Sequence, residues 1–132
     1  PQNLFASSCS YTRGAMAAFD SIGKVNLTNG VVGNWQCGKH RFVGEPVFAP
    51  DASVGKSEAF QEDVGWVIVP VYDGMAKKNF LMVFDAENIS PGPVATIEIL
   101  VQLPYGFHGS WLAPSEHQDA RNRTRVQVSS KL

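Results

Sequence analysis

The alternation of apolar and polar positions divides the chain into short extended runs separated by turn residues. Residues 3–11, NLFASSCSY, alternate modestly and read as a strand, and RGAMAAFDS is a loose connection after it. KVNLT and VVGNWQC alternate on either side of Asn29-Gly30. Those two residue types tolerate positive φ, so the pair predicts a hairpin turn. His40 falls in a loop before a short apolar strand from Glu45 to Ala49, bracketed by Gly44 and Pro50. DASVGKSEAFQEDVG is polar and rich in breakers, and reads as a surface loop. WVIVPVYDG and NFLMVFDAEN form a second strand pair joined by GMAKKN. Pro70 has no N–H to give a ladder, so its strand is expected to be bulged or to keep its amide side at an edge. GPVATIEILVQLP and GFHGSWLA complete the extended runs, and the charged residues after Pro114 read as a polar, disordered tail.

The pattern predicts an all-β chain of roughly seven short antiparallel strands with no helix. Such spacing suits a sandwich, a barrel or propeller blades. Two similar hairpin units in series hint at radial repetition, which the sequence alone is too divergent to prove.

Composition narrows this picture. The 132 residues are 44% hydrophobic, which suits one folded domain with a real core. Twelve Gly and eight Pro favour turns over long helices. The net charge of −1 leaves no electrostatic footprint for nucleic acid, and Arg121, Arg123 and Arg125 are confined to the tail. No apolar run reaches the roughly 18 residues of a membrane-spanning helix. Cys9 and Cys37 stand in no metal-binding spacing and read as buried or half-buried thiols. The sequons at Asn26, Asn88 and Asn122 and a Cys9–Cys37 bridge would belong together only in a secreted, glycosylated β-sandwich. The opening on Pro1 rather than methionine fits a processed product or a piece of a longer chain.

Chemistry-bearing motifs are scarce. There is no nucleophile elbow, phosphate loop or HExxH signature. Glu58, Glu62 and Asp63 read as a solvated acidic loop, His117 as a tail residue and His40 as a loop residue. His108 stands out within PYGFHGSW, between Phe107 and Gly109 and close to Tyr105 and Trp111. Periodicity favours a core histidine satisfied by a backbone carbonyl. Glu45 is a carboxylate in an apolar strand, where burial would demand a partner. It could fix the tautomer of a metal-bound histidine or accept backbone amides at a strand end, and both readings stay open.

GEPVFAPD, EDVGWVIVPVYDG, FLMVFDAENISPGPVATIEI and LPYGFHGSW, in that order, resemble the C-terminal region of the carotenoid oxygenases, the carotenoid and apocarotenoid cleavage dioxygenases. The preceding KVNLTNGVVGNWQCGKHRFVGEPVF is similar to that family's hairpin, and the resemblance runs from Leu4 to Pro114. It implies that residues 1–114 are C-terminal blades of a seven-bladed β-propeller, present as an incomplete fragment, with residues 115–132 as the tail.

In the family a non-haem Fe(II) is held by four histidines, and glutamates hydrogen-bond some of them. His108 matches the last ligand and Glu45 one of those glutamates; Phe107 and Trp111 would line the substrate tunnel or pack between blades. The implied reaction adds both atoms of dioxygen across one double bond of a carotenoid, apocarotenoid or stilbene, giving two carbonyl products. The other three ligands have no counterpart here, so this chain alone is expected neither to hold iron firmly nor to cleave a polyene. Membrane association would come through regions outside it, in a cytoplasmic or plastid setting. The rival reading is a non-catalytic propeller-derived binding or scaffold module.

Overall fold

The computed structural model describes residues 2–9, 18–53, 62–104, 106 and 108–112. Tyr105, Phe107, Glu58, His117 and the tail lie outside the described residues. Among those described there are eight strands and no helix.

Strands β1 (Asn3–Ser8), β2 (Ser21–Asn26) and β3 (Gly30–Gln36) form an antiparallel sheet in that spatial order. The β2–β3 hairpin lies where Asn29-Gly30 predicts it, but its loop is longer than the two-residue turn. Asn26 ends β2 early because its side-chain oxygen accepts from the N–H groups of Thr28 and Asn29, both at 3.0 Å. Gly30 then opens β3 at φ 83°, where a side chain would be strained.

The second sheet contains β4 (Arg41–Val43), β5 (Val47–Pro50), β6 (Gly65–Asp73), β7 (Lys78–Asp85) and β8 (Ala95–Ile99). Its spatial order is β4-β6-β7-β8, with β5 pairing the other half of β6. The sequence pattern leaves β4 in a loop and starts β5 at Glu45. In the structure the three residues Arg41–Val43 pair with Val71–Asp73, and Glu45 sits between the two strands. The segment expected to be a final strand, GFHGSWLA, has no strand among its described residues, because the Gly109 N–H goes to a side chain instead of a ladder.

Register explains Pro70. Val43 faces Val71 and Val47 faces Ile68. Gly44, Glu45 and Pro46 are therefore opposed by only Val69 and Pro70. One extra residue against the partner is a β-bulge, and it lies in the strand opposite Pro70. On its other side Pro70 stays in register with Leu81, so β6–β7 pairing runs unbroken from Trp66 to Asp73.

The core sits between the two sheets. Val67, Val69 and Val71 alternate along β6 and are at most 2% exposed. They join Ile22, Cys37, Val43, Met82, Phe84 and Ile89 in one buried cluster. Trp35 of the first sheet meets Phe84 of the second edge to face at 4.9 Å. Lys24, 5% exposed, is held between Asp63 and the Glu87 carbonyl. Cys37 is buried and Cys9 half-buried, the burial read for them from the sequence. β8 ends the second sheet and leaves Val94, Ile97, Leu100 and Val101 exposed.

Candidate functional site

The bulge delivers Glu45 to the site. Pro46 follows it and steers its backbone away from helical angles toward extended ones. Glu45 Oε1 lies 3.2 Å from His108 Nδ1, and Oε2 accepts from the Gly109 N–H at 2.9 Å. Donation from the Gly109 amide, and then from His108, holds the Glu45 carboxyl below the usual glutamate range. An ionised carboxylate only accepts, so Nδ1 of the ring carries the proton. In a neutral imidazole the basic lone pair is then on Nε2.

This geometry departs from the bland expectation for His108 and meets in part the one for Glu45. His108 is no core histidine: its side chain is 77% exposed and its Nδ1 partner is a carboxylate, not a carbonyl. Glu45 is not buried either, at 41%, because it stands on the bulge at a cavity wall rather than inside a strand. It does accept a backbone amide, as the strand-end reading foresaw, and it uses its second oxygen on the histidine.

Glu45 and His108 border a cavity of about 710 Å³. Its apolar wall includes Phe42, Ile68, Tyr72 and Phe80. The sequence reading missed these side chains, although the signal was present. WVIVPVYD is apolar at nearly every position, so both faces of β6 need cover. Val67, Val69 and Val71 face the core, while Ile68, Pro70 and Tyr72 alternate onto the cavity side. Trp111 is 47% exposed and is not among the cavity-lining residues. His40 sits in a turn at φ 62° with its carbonyl bonded to the Gly74 amide, away from the cavity. Among the described residues no group of three or more His, Cys, Asp or Glu side chains could hold a metal. Asp63 of the acidic loop is spent on Lys24.

Residues 3–113 match the family described as retinal pigment epithelial membrane protein. The chain belongs to this family, the carotenoid oxygenases. It is 35% identical over 114 residues to carotenoid cleavage dioxygenase 7, chloroplastic, of Arabidopsis thaliana, covering 82% of this chain and 18% of that one. It is 32% identical over 95 residues to the apocarotenoid-15,15'-oxygenase of Synechocystis, covering 72% and 18%. The cobalt-substituted crystal structure of the Synechocystis oxygenase superposes with a TM-score of 0.73 at 28% identity, over 85% of this chain and 22% of that one. This carotenoid oxygenase chain thus spans about a fifth of the length of its curated relatives. Its all-β fold is that of part of the family's β-propeller, as the resemblance implied. Among the described residues no helix is long and apolar enough to cross a membrane.

Proposed function

We propose that this chain is part of a non-haem Fe(II) dioxygenase that cleaves one carbon–carbon double bond of a carotenoid or apocarotenoid, with His108 as one iron ligand. The observation that carries the reading is the Glu45 carboxylate joined to His108 Nδ1 at the edge of an apolar cavity. The residues present fit a metal in one respect. A carboxylate on one ring nitrogen is the usual support for an imidazole that ligates through the other. They also fit only in part, because one imidazole is a weak hold, and the remaining ligands belong to polypeptide beyond these 132 residues. A cobalt-substituted form of the Synechocystis relative supports an exchangeable metal in this family.

When bound, Fe(II) would be held in part by His108 Nε2 and would supply the activation of dioxygen. The chain's own residues do the rest. Glu45 holds the His108 ring in one tautomer and one orientation. Phe42, Tyr72 and Phe80 offer an apolar wall to a polyene and keep water from it. The reaction balances without an external reductant. The double bond breaks, one oxygen atom joins each carbon, and the four electrons lost by the two carbons reduce dioxygen. A plastid setting is the favoured one, since two Arabidopsis relatives are chloroplastic.

The test is iron content. A longer polypeptide that contains this chain should carry near-equimolar iron and cleave an apocarotenoid, and His108→Ala should lose both. The 132-residue chain alone should carry little iron. Near-equimolar iron in that chain, or full iron in the His108→Ala enzyme, overturns the assignment.

A further inference from the structure

The bulge between β4 and β5 does more than interrupt a strand. In an antiparallel ladder a residue turns its N–H and C=O to the same side, and successive residues alternate. The Pro70 carbonyl accepts from the Gly44 N–H at 2.8 Å, so the polar side of residue 70 faces the bulge. Any other residue there would aim an N–H at backbone displaced by the extra residue, whereas proline has none to leave unpaired. The ring also fills the space that Gly44 leaves open. A Cβ on Gly44 would stand 2.7 Å from Pro70 Cγ, closer than side chains tolerate. Gly44 is thus held against Pro70 by one hydrogen bond and one close packing contact. The next residue along the chain is Glu45.

We propose that Gly44 and Pro70 are positioning residues whose contact seats the bulge and so aims the Glu45 carboxylate at His108 and Gly109. The inference rests on the reading that Glu45 orients His108, and it adds what orients Glu45. Both act through the backbone on either side of the bulge. β6 has a second hold besides the pair, since β7 registers it from Trp66 to Asp73. A purely structural role would therefore leave the tautomer of His108 unmoved.

The experiment is nitrogen-15 NMR of the His108 ring in the 132-residue chain, recorded at alkaline pH on the plateau where the ring shifts no longer change, so that the two neutral tautomers are compared. The chain with its own sequence should show the Nδ1–H form in excess. Pro70→Ala removes the ring without introducing a clash, and should lower the ratio of Nδ1–H to Nε2–H by about two- to ten-fold, the worth of one net hydrogen bond. Cross-strand contacts of β6 with β7 should persist. Gly44→Ala should lower the ratio at least as far. Should Gly44→Ala fail to fold, Pro70→Ala decides alone. An unchanged tautomer ratio in folded Pro70→Ala overturns the proposal. An unmodified chain with no excess of Nδ1–H would instead sink the Glu45–His108 reading beneath it.

Discussion

His108 Nδ1 lies 3.2 Å from Glu45 Oε1, although 63 residues of chain separate them. The contact joins the β4–β5 bulge to the segment after β8 in the lining of one cavity. Replacing Glu45 by Gln keeps the shape and removes the charge. In an iron-loaded enzyme containing this chain, Glu45→Gln should lower metal affinity or turnover about 10- to 100-fold. Equilibrium iron binding and initial rates measure it, and values within two-fold of the unmodified enzyme would contradict the role.

Lys24 and Asp63 form an ion pair whose lysine is almost wholly enclosed. Asp63→Ala leaves that ammonium, among the described residues, with the Glu87 carbonyl at 3.0 Å and the Phe5 ring at 6.0 Å. Because Asp63 keeps some solvent, the loss should be smaller than for a fully buried pair, about 2–3 kcal/mol. Urea unfolding should show the midpoint fall with an unchanged slope. A midpoint that does not move would mean that water replaces the carboxylate without cost.

Phe84 is fully buried and meets Trp35 across the two sheets. Phe84→Ala should cost about 3–5 kcal/mol, through lost transfer energy and the cavity left behind. Thermal melting checks this. A variant that melts with the unmodified chain would show that the two sheets do not depend on each other here.

Asp73 gives a pH dependence with a definite sign. Its carboxylate accepts from the N–H groups of Ala76 and Met75 at 2.9 and 3.0 Å, and from Arg41 Nε at 2.9 Å. Donation by Ala76, then by Arg41, holds its pKa below the ordinary 3.8. A folded-state value below the unfolded one stabilises the fold above 3.8, and that contribution is lost as pH falls through the lowered folded value. Asp73→Asn should therefore unfold with a shallower dependence on pH below about 4. Parallel acid-unfolding curves for the two proteins would refute it.

How much of this was legible in the sequence varies residue by residue. The strands that alternate over six or more residues were, because their period is fixed by what they bury. β4 was not, because Arg41–Val43 is too short to show a period and exists only through pairing with Val71–Asp73. Pro70 led to the expectation that its own strand is bulged or lies at an edge. Instead β6 runs inside the sheet in unbroken register with β7, and the strand opposite carries the extra residue, which no local rule could say. GFHGSWLA was misread as a strand because aromatic residues favour strands and a glutamate 64 residues away takes the Gly109 amide. His108 and Glu45 were both singled out, and a carboxylate fixing a histidine's tautomer stood as one of two open readings of Glu45 before the family resemblance favoured it. Distance in sequence hides a partnership that pairing in space creates.

The outer flank of β8 carries a practical consequence for anyone handling this polypeptide. Among the described residues nothing pairs with that side of the strand, and Ile97 and Val94 stand open beside it. A backbone edge flanked by aliphatic groups is a template for another molecule's edge. Light scattering should rise steeply with concentration, and Ile97→Lys should suppress it by setting a charge where a second strand would dock.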